Sequence, residues 1–191
     1  KSYATSASPY VIRVSGTITL DSKVQPKPNK TIEGVDAGST IIGNLDLSDS
    51  QSCDNIIIRN LNISNPAGDG ITVWGATNIF ITHCTIYDCG DGAVDMNNGT
   101  DYVTVSWCRF NYPSMNDHRF VHIADQAHIT FHHNWYDYGC DQRMPASTGG
   151  TIHMYNNYFG CTGNYYCSNA RNDAQILSEN NYYTQVNSPI G

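Results

Sequence analysis

The chain has 191 residues, of which 40% are hydrophobic and 14% are charged, so it can bury one continuous core and is not a disordered protein. Its net charge of -7, with no cluster of Lys and Arg, excludes nucleic acid as a partner. No run of about 18 apolar residues occurs, so we expect no membrane-spanning helix and no membrane partner.

The first fifty residues contain short alternating segments that predict irregular strands. They cover residues 10–14, 17–20 and 39–42, and Gly and Pro residues separate them.

A repeat of 23 to 26 residues begins at residue 55. Its six copies alternate apolar and polar residues, are rich in Ile, Val, Thr, Phe and Tyr, and start at positions 55, 78, 102, 128, 151 and 175. Strands that recur at a fixed phase stack in parallel at roughly 4.8 Å per coil. The repeat therefore predicts an all-β fold, a right-handed parallel β-helix or solenoid.

This stacking predicts two buried columns of side chains. The first column contains Ile56, Ile79, Val103, Ile129, Ile152 and Ile176. The second column contains Ile63, Ile86, Phe110, Tyr136, Phe159 and Tyr183.

A solenoid normally has an atypical segment over its open hydrophobic end. We find no amphipathic helix in front of Tyr10 that provides one. We therefore expect residues 1–191 to form a single β-helix domain without terminal caps, either as a portion of a longer protein or with its ends covered by another chain.

Two Gly-Asp-Gly segments place three aspartates about one coil apart, at Asp69, Asp91 and Asp95. Carboxylates on adjacent coils can share a Ca²⁺ ion, a hard cation that prefers oxygen ligands and tolerates irregular geometry. Gly-Asp-Gly is also ordinary turn chemistry, in which the Asp side chain closes an Asx turn. The residues alone leave both interpretations open.

Seven cysteines and the three sequons at Asn29, Asn62 and Asn98 favour a secreted protein. Cys161 and Cys167 flank a short loop, and we expect them to form a disulfide. Cys84 and Cys108 fall in one column of neighbouring coils, where they form either a disulfide or a stacked pair of small buried residues.

Several phrases occur in the same order as in the pectate lyase family, polysaccharide lyase family 1, which the chain resembles over roughly residues 30–185. They are NPAGDGITVWGATNIFITHC, DGAVDM, DYVTVSWCRF, ITFHHNWYD, QRMP and IHMYNNYF. The resemblance implies a parallel β-helix, a Ca²⁺ cofactor and cleavage of α-1,4-linked polygalacturonate by β-elimination.

The same resemblance implies roles for single residues. It places the calcium ligands at Asp69, Asp91 and Asp95, and the arginine that abstracts the C5 proton at Arg143. It places Arg119 near a cation that grips a substrate carboxylate, and we assign substrate binding to His118 and Arg171 as well.

Two departures from the family pattern leave an alternative open. Ala67 stands where many members have a further acidic ligand, and Thr148 stands where many have an additional Arg. The chain therefore predicts a secreted, monomeric pectate lyase acting on acidic polysaccharide, with a catalytically silent carbohydrate-binding β-helix as the alternative. A calcium-independent pectin lyase is disfavoured because Asp91 and Asp95 are kept.

Overall fold

A computed structural model of the chain describes residues 1–48, 53–114, 119–125 and 127–191. These residues form one short helix, α1 (Ser2–Thr5), and twenty-one strands. In chain order the strands are β1 (Tyr10–Val14), β2 (Thr17–Thr19), β3 (Lys30–Gly34), β4 (Thr40–Ile42), β5 (Leu45–Ser48), β6 (Ile56–Arg59), β7 (Asn62–Ser64), β8 (Ile71–Trp74), β9 (Thr77–Thr82), β10 (Thr85–Tyr87), β11 (Val94–Asn97), β12 (Asp101–Ser106), β13 (Arg109–Asn111), β14 (His128–His132), β15 (Trp135–Tyr136), β16 (Ala146–Thr148), β17 (Thr151–Tyr155), β18 (Tyr158–Phe159), β19 (Asn169–Arg171), β20 (Gln175–Glu179) and β21 (Tyr182–Tyr183).

The strands stack into long parallel sheets. The first sheet has the order β1-β3-β6-β9-β12-β14-β17-β20, and the second has the order β2-β4-β7-β10-β13-β15-β18-β21. Each of the six repeats supplies one strand of the first sheet, and the three expected N-terminal strands are β1, β2 and β4. All pairings between these strands are parallel. The predicted parallel β-helix is confirmed.

Both predicted columns form the core in the predicted register. The first column is at most 2% exposed from Ile56 to Ile152, and Ile176 is partly buried. In the second column, the ring centroids of Phe159 lie 4.5 Å from those of both Tyr136 and Tyr183. The β-branched and aromatic residues of successive coils therefore bury one another along the axis.

The bend between the first and second sheets repeats in the six coils from β6 onward. One residue per coil adopts a positive φ there, at Asn60, His83, Trp107, His133, Asn156 and Asn180. Buried asparagines next to them form a ladder, in which Asn134 Nδ2 donates to Asn157 Oδ1 at 3.1 Å and Asn157 Nδ2 donates to Asn181 Oδ1 at 2.9 Å. This ladder fixes the coils in register. The same register sets the positions of the side chains on the third sheet, on the opposite side of each coil.

A third sheet completes the coil and carries the features described below. Its order is β11-β8-β5, and single bridges, such as Met96 to Ala124 and Ile123 to Ala146, extend it to the pair β16 and β19. The described parts of the connections that enter it cover residues 65–70, 88–93, 112–114, 119–122, 137–145 and 160–168. Because parallel strands all begin at the same edge, these connections lie side by side along the solenoid.

A short helix lies at the N-terminal end of the solenoid. Residues 2–5 form helix α1, whose Ala4 is buried and whose Tyr3 ring meets the Tyr10 ring at 5.3 Å. This single turn with one buried alanine has no amphipathic pattern, so the expected lack of terminal caps stays a prediction. None of the helices among the described residues is long and apolar enough to cross a membrane.

The cysteines differ from the expectation. All seven lie in the described part of the chain as buried free thiols, so the predicted disulfide between Cys161 and Cys167 is not present. The two thiols hydrogen-bond to each other. Cys161 Sγ also lies 3.8 Å from Met144 Sδ, and Asn164 Nδ2 also donates to Cys167 Sγ at 3.4 Å. Cys84 and Cys108 follow the second of the two interpretations and stack as small buried residues.

Candidate active site

Three aspartates lie together where the connections enter the third sheet. Asp69 precedes β8, Asp91 precedes β11, and Asp95 is the second residue of β11. One carboxylate oxygen from each lies within 4.8 Å of the other two. The register of the coils causes this, because the Gly70 N–H donates to the Gly92 carbonyl at 3.0 Å and so places one connection over the next. The structure brings the three predicted ligands together.

Fixed donors orient two of these carboxylates. Thr72 Oγ1 donates to Asp69 Oδ2 at 2.7 Å, and the Gly92 N–H donates to Asp69 Oδ1 at 3.0 Å. The Ile123 N–H, one coil further, donates to Asp95 Oδ1 at 3.0 Å. A Cβ atom at position 92 would lie 2.1 Å from Asp95 Oδ1, so any larger residue there would displace this carboxylate. The cluster is therefore positioned before any ligand arrives.

Burial opposes the negative charge of the cluster. Burial, and after it the charge of Asp69, raises the pKa of Asp95 to about 7, although the Ile123 N–H and Arg143 pull this pKa down. Burial also raises the pKa of Asp69, with Asp91 adding to the rise. Carboxylates held this close are unfavourable unless a cation joins them. The oxygen donors, their charge and their spacing fit a hard divalent cation such as Ca²⁺.

Arg143 lies in the connection before β16, two coils beyond Gly92. Bridges from Gly92 to Phe120 and from Phe120 to Gln142 define this placement. Arg143 has a φ of 61°, and its guanidinium carbon lies 4.1 Å from the centroid of the Phe120 ring. Its Nε is buried without a hydrogen-bond partner among the described residues. The charge of Arg143 also lowers the pKa of Asp95, so the guanidinium is near enough to the acidic cluster to interact with it electrostatically.

Arg119 approaches the same side of the molecule, directly before Phe120. Its carbonyl accepts from the Asp141 N–H at 3.0 Å, and its Nη2 lies 3.7 Å from Asp141 Oδ1. That separation is an ion pair without a short hydrogen bond. His118 lies outside the described residues, so its assignment to substrate binding stays a prediction.

Arg171 lies on β19, beside Thr148 of β16. Its Nε donates to Asn169 Oδ1 at 2.7 Å, and its Nη2 donates to the Tyr166 hydroxyl at 2.8 Å. The neighbouring coil thus supplies an arginine next to the position where Thr148 departs from the family pattern. Ala67, the other departure, is exposed in the turn before Asp69.

Sequence analysis missed two residues of this site. Thr72 pairs in register with Asp95, one coil earlier. The spacing of the repeat could therefore have predicted that Thr72 lies on the same outer face as Asp95. Phe120 lies in a connection that contains no copy of the repeat, and no sequence signal places its ring under Arg143.

A family model described as pectate lyase matches residues 13–191. The chain belongs to the pectate lyase family. It is 36% identical to a pectate trisaccharide-lyase of Thermotoga maritima, over 82% of this chain and 47% of the relative. It is 33% identical to pectate lyase A of Aspergillus niger, over 91% of this chain and 57% of the relative. The chain spans about half the length of these curated relatives.

Solved structures share the fold. Pectate lyase Bsp165PelA from Bacillus sp. N165, in complex with trigalacturonate, superposes with a TM-score of 0.73 at 22% identity, covering 95% of this chain and 77% of its own. Jun a 1, the major allergen from cedar pollen, superposes with a TM-score of 0.74 at 21% identity, covering 91% of this chain and 58% of its own.

Proposed function

We propose that the protein is a calcium-dependent pectate lyase that cleaves α-1,4-linked polygalacturonate by β-elimination. The observation that carries the proposal is the cluster of the carboxylates of Asp69, Asp91 and Asp95, with Arg143 near enough for its charge to lower the pKa of Asp95. Curated family members named as pectate lyases, and a family structure in complex with trigalacturonate, support the substrate class.

In β-elimination a base removes the C5 proton, the bond from C4 to O4 breaks, a double bond forms between C4 and C5, and O4 departs with a proton. The C5 proton lies α to a carboxylate and is weakly acidic, so the charge that develops must be stabilised. Asp69, Asp91 and Asp95 would hold a Ca²⁺ ion, which when bound would supply Lewis-acid stabilisation to the uronate carboxylate. The aspartates hold this site in place and let an acidic protein accept a polyanion.

Arg143 abstracts the C5 proton in this proposal. A guanidinium ordinarily has a pKa above about 12, so it serves as a base only where the site disfavours its charged form. Phe120 holds the guanidinium in place at 4.1 Å from its ring centroid, and the buried Nε has no hydrogen-bond partner among the described residues. Arg119 and Arg171 bind substrate carboxylates, for which a guanidinium fork is well suited.

The competing function is a silent carbohydrate-binding solenoid, which Ala67 and Thr148 favour. The test is the ultraviolet absorbance of the unsaturated product formed from polygalacturonate, measured with calcium and then with a chelator. We expect product with calcium and none with the chelator. Binding without product would establish the silent binder, and product that persists in chelator would indicate a calcium-independent lyase.

We also propose that residues 1–191 form one domain and that the protein acts outside the cell as a monomer. One hydrophobic core runs from Ala4 to Cys167, and the sequon residues Asn29 and Asn98 are exposed. Gel filtration tests the monomer. Release of the protein into the medium by its native host tests secretion, and retention inside the cells would refute it.

A further inference from the structure

An open cavity of about 340 Å³ lies on the outer face of the third sheet, on the N-terminal side of the acidic cluster. We call it the Trp74 pocket and define it by Lys23, Gln25, Asp46, Ser48, Thr72 and Trp74. Trp74 is 45% exposed, so its indole offers apolar surface to a ligand.

The Trp74 pocket continues the surface of the candidate active site. The Val24 to Leu45 bridge sets Gln25 beside Asp46, and strand pairing sets Asp46 beside Thr72 and Thr72 beside Asp95. At roughly 4.8 Å per coil, the pocket spans about 5 to 15 Å from Asp95 along the axis. Thr72 links the two directly, because its hydroxyl donates to Asp69. A polymer that lies along this sheet and reaches the cluster also reaches the pocket.

The charges on the two sides of the acidic cluster differ. Lys23 is the one cationic side chain among the described residues that line the pocket, and its Nζ lies 2.7 Å from Asp46 Oδ2. Gln25 Nε2 donates to the same oxygen at 3.0 Å and to Ser48 Oγ at 2.9 Å. The cation and the amide donors of the pocket are therefore engaged within the protein.

On the other side of the cluster lie the arginines Arg119, Arg143 and Arg171. A uronate carboxylate finds guanidinium partners on that side. In the Trp74 pocket the same carboxylate would lie beside Asp46 and lose water without gaining a free cation. A sugar residue without a charge avoids the cost of desolvating a carboxylate, and its apolar face gains contact with the indole.

We infer that the Trp74 pocket is a subsite for a uronosyl residue whose carboxyl group is methyl-esterified. This inference rests on the proposed lyase function and extends it to the pattern of esterification. Free uronate residues lie at the calcium and arginine positions, and an esterified residue lies against Trp74. The enzyme therefore cleaves next to esterified residues and is not restricted to long unesterified blocks.

The first test compares polygalacturonate with partially methyl-esterified pectin, using Trp74→Ala, the conservative Trp74→Phe, and Tyr102→Ala as a matched control. Tyr102 is an exposed aromatic residue on the first sheet, away from the pocket. We expect Trp74→Ala to lower kcat/KM about tenfold on esterified pectin and less than about twofold on polygalacturonate. Trp74→Phe should retain most of the activity, and Tyr102→Ala should match the parent on both substrates.

A second variant, Asp46→Asn, removes the negative charge of the Trp74 pocket. Asp46→Asn keeps an acceptor for Gln25 and releases Lys23, so it should shift the preference towards polygalacturonate. Equal losses of Trp74→Ala on both substrates, or no shift from Asp46→Asn, would overturn the inference. No loss from Trp74→Ala on either substrate would remove the pocket from the substrate path.

A binding measurement separates this inference from the lyase proposal. In a Trp107→Phe, Trp135→Phe background, Trp74 is the remaining tryptophan, and its fluorescence should respond to methyl-esterified oligogalacturonate more strongly than to the free acid. If the parent protein releases no unsaturated product but shows this response, the lyase proposal fails and the subsite stands. If it is active without the response, the subsite fails and the lyase proposal stands.

Discussion

Replacing Asp95 with Asn should stabilise the calcium-free protein while it removes calcium-dependent activity. Asn is nearly the same size as Asp, and its Oδ1 still accepts from the Ile123 N–H, so the fold is retained. The change removes a buried negative charge that faces Asp69 and Asp91 at short range. Activity at low calcium should be lost because the cation site loses a charged ligand.

The magnitude follows from the pKa of Asp95. A pKa raised from 3.8 to about 7 corresponds to roughly 4 kcal/mol of unfavourable free energy for the charged form. The folded-state pKa lies above the unfolded one, so the protein keeps its full stability below about pH 4 and loses this amount as the pH rises through 7. At pH 8, in chelator, Asp95→Asn should therefore be more stable than the parent by about 4 kcal/mol, or about 10 °C in Tm.

The assay is denaturant unfolding in chelator at pH 4 and pH 8, repeated at pH 8 with calcium. The stabilisation by Asp95→Asn should be absent at pH 4 and full at pH 8, and calcium should stabilise only the parent. Glu33→Gln is a control of opposite sign, because Arg59 and then Arg13 hold the pKa of Glu33 below its ordinary value. That variant should lose stability at pH 8. An Asp95→Asn protein that is destabilised at pH 8, or whose gain does not depend on pH, would refute the reasoning.

Arg143→Lys should lower kcat by several orders of magnitude with little change in substrate binding if Arg143 removes the C5 proton, because the lost interaction belongs to the transition state. A mainly weaker binding, with kcat kept, would assign Arg143 to gripping a carboxylate, since lysine retains the charge but not the bidentate fork. Gly92→Ala should raise the calcium concentration needed for half-maximal activity, because its Cβ would displace the Asp95 carboxylate, and an unchanged calcium titration would contradict this. Asn157→Ala should cost about 1–3 kcal/mol in unfolding free energy by interrupting the asparagine ladder, with no change in kcat at temperatures where the protein is folded. A loss below about 0.5 kcal/mol would show that the ladder does not hold the coils in register.

The sequence by itself determined the coil and its register. Alternation with period two identified each strand, and the spacing of 23 to 26 residues identified which strands stack. Once the stacking is known, residues one period apart must be neighbours. This is why Ile129 and Ile152 could be paired from sequence, and why Asp69, Asp91 and Asp95 could be placed together in advance.

Only the tertiary structure decided which side-chain contacts the connections between strands make. The segments before β11 and β16 have no period, so the seating of Arg143 on Phe120 depends on bridges between coils that no alternation predicts. The same holds for the ion pair that neutralises the cation of the Trp74 pocket, where Lys23 reaches Asp46 from the preceding coil. Strand stacking is set by a local pattern repeated along the chain, whereas side-chain partners in irregular connections are set by packing in three dimensions. The repeat could therefore reveal where the site lies, and only the folded coils could show which groups in it are charged, paired and within reach of a substrate.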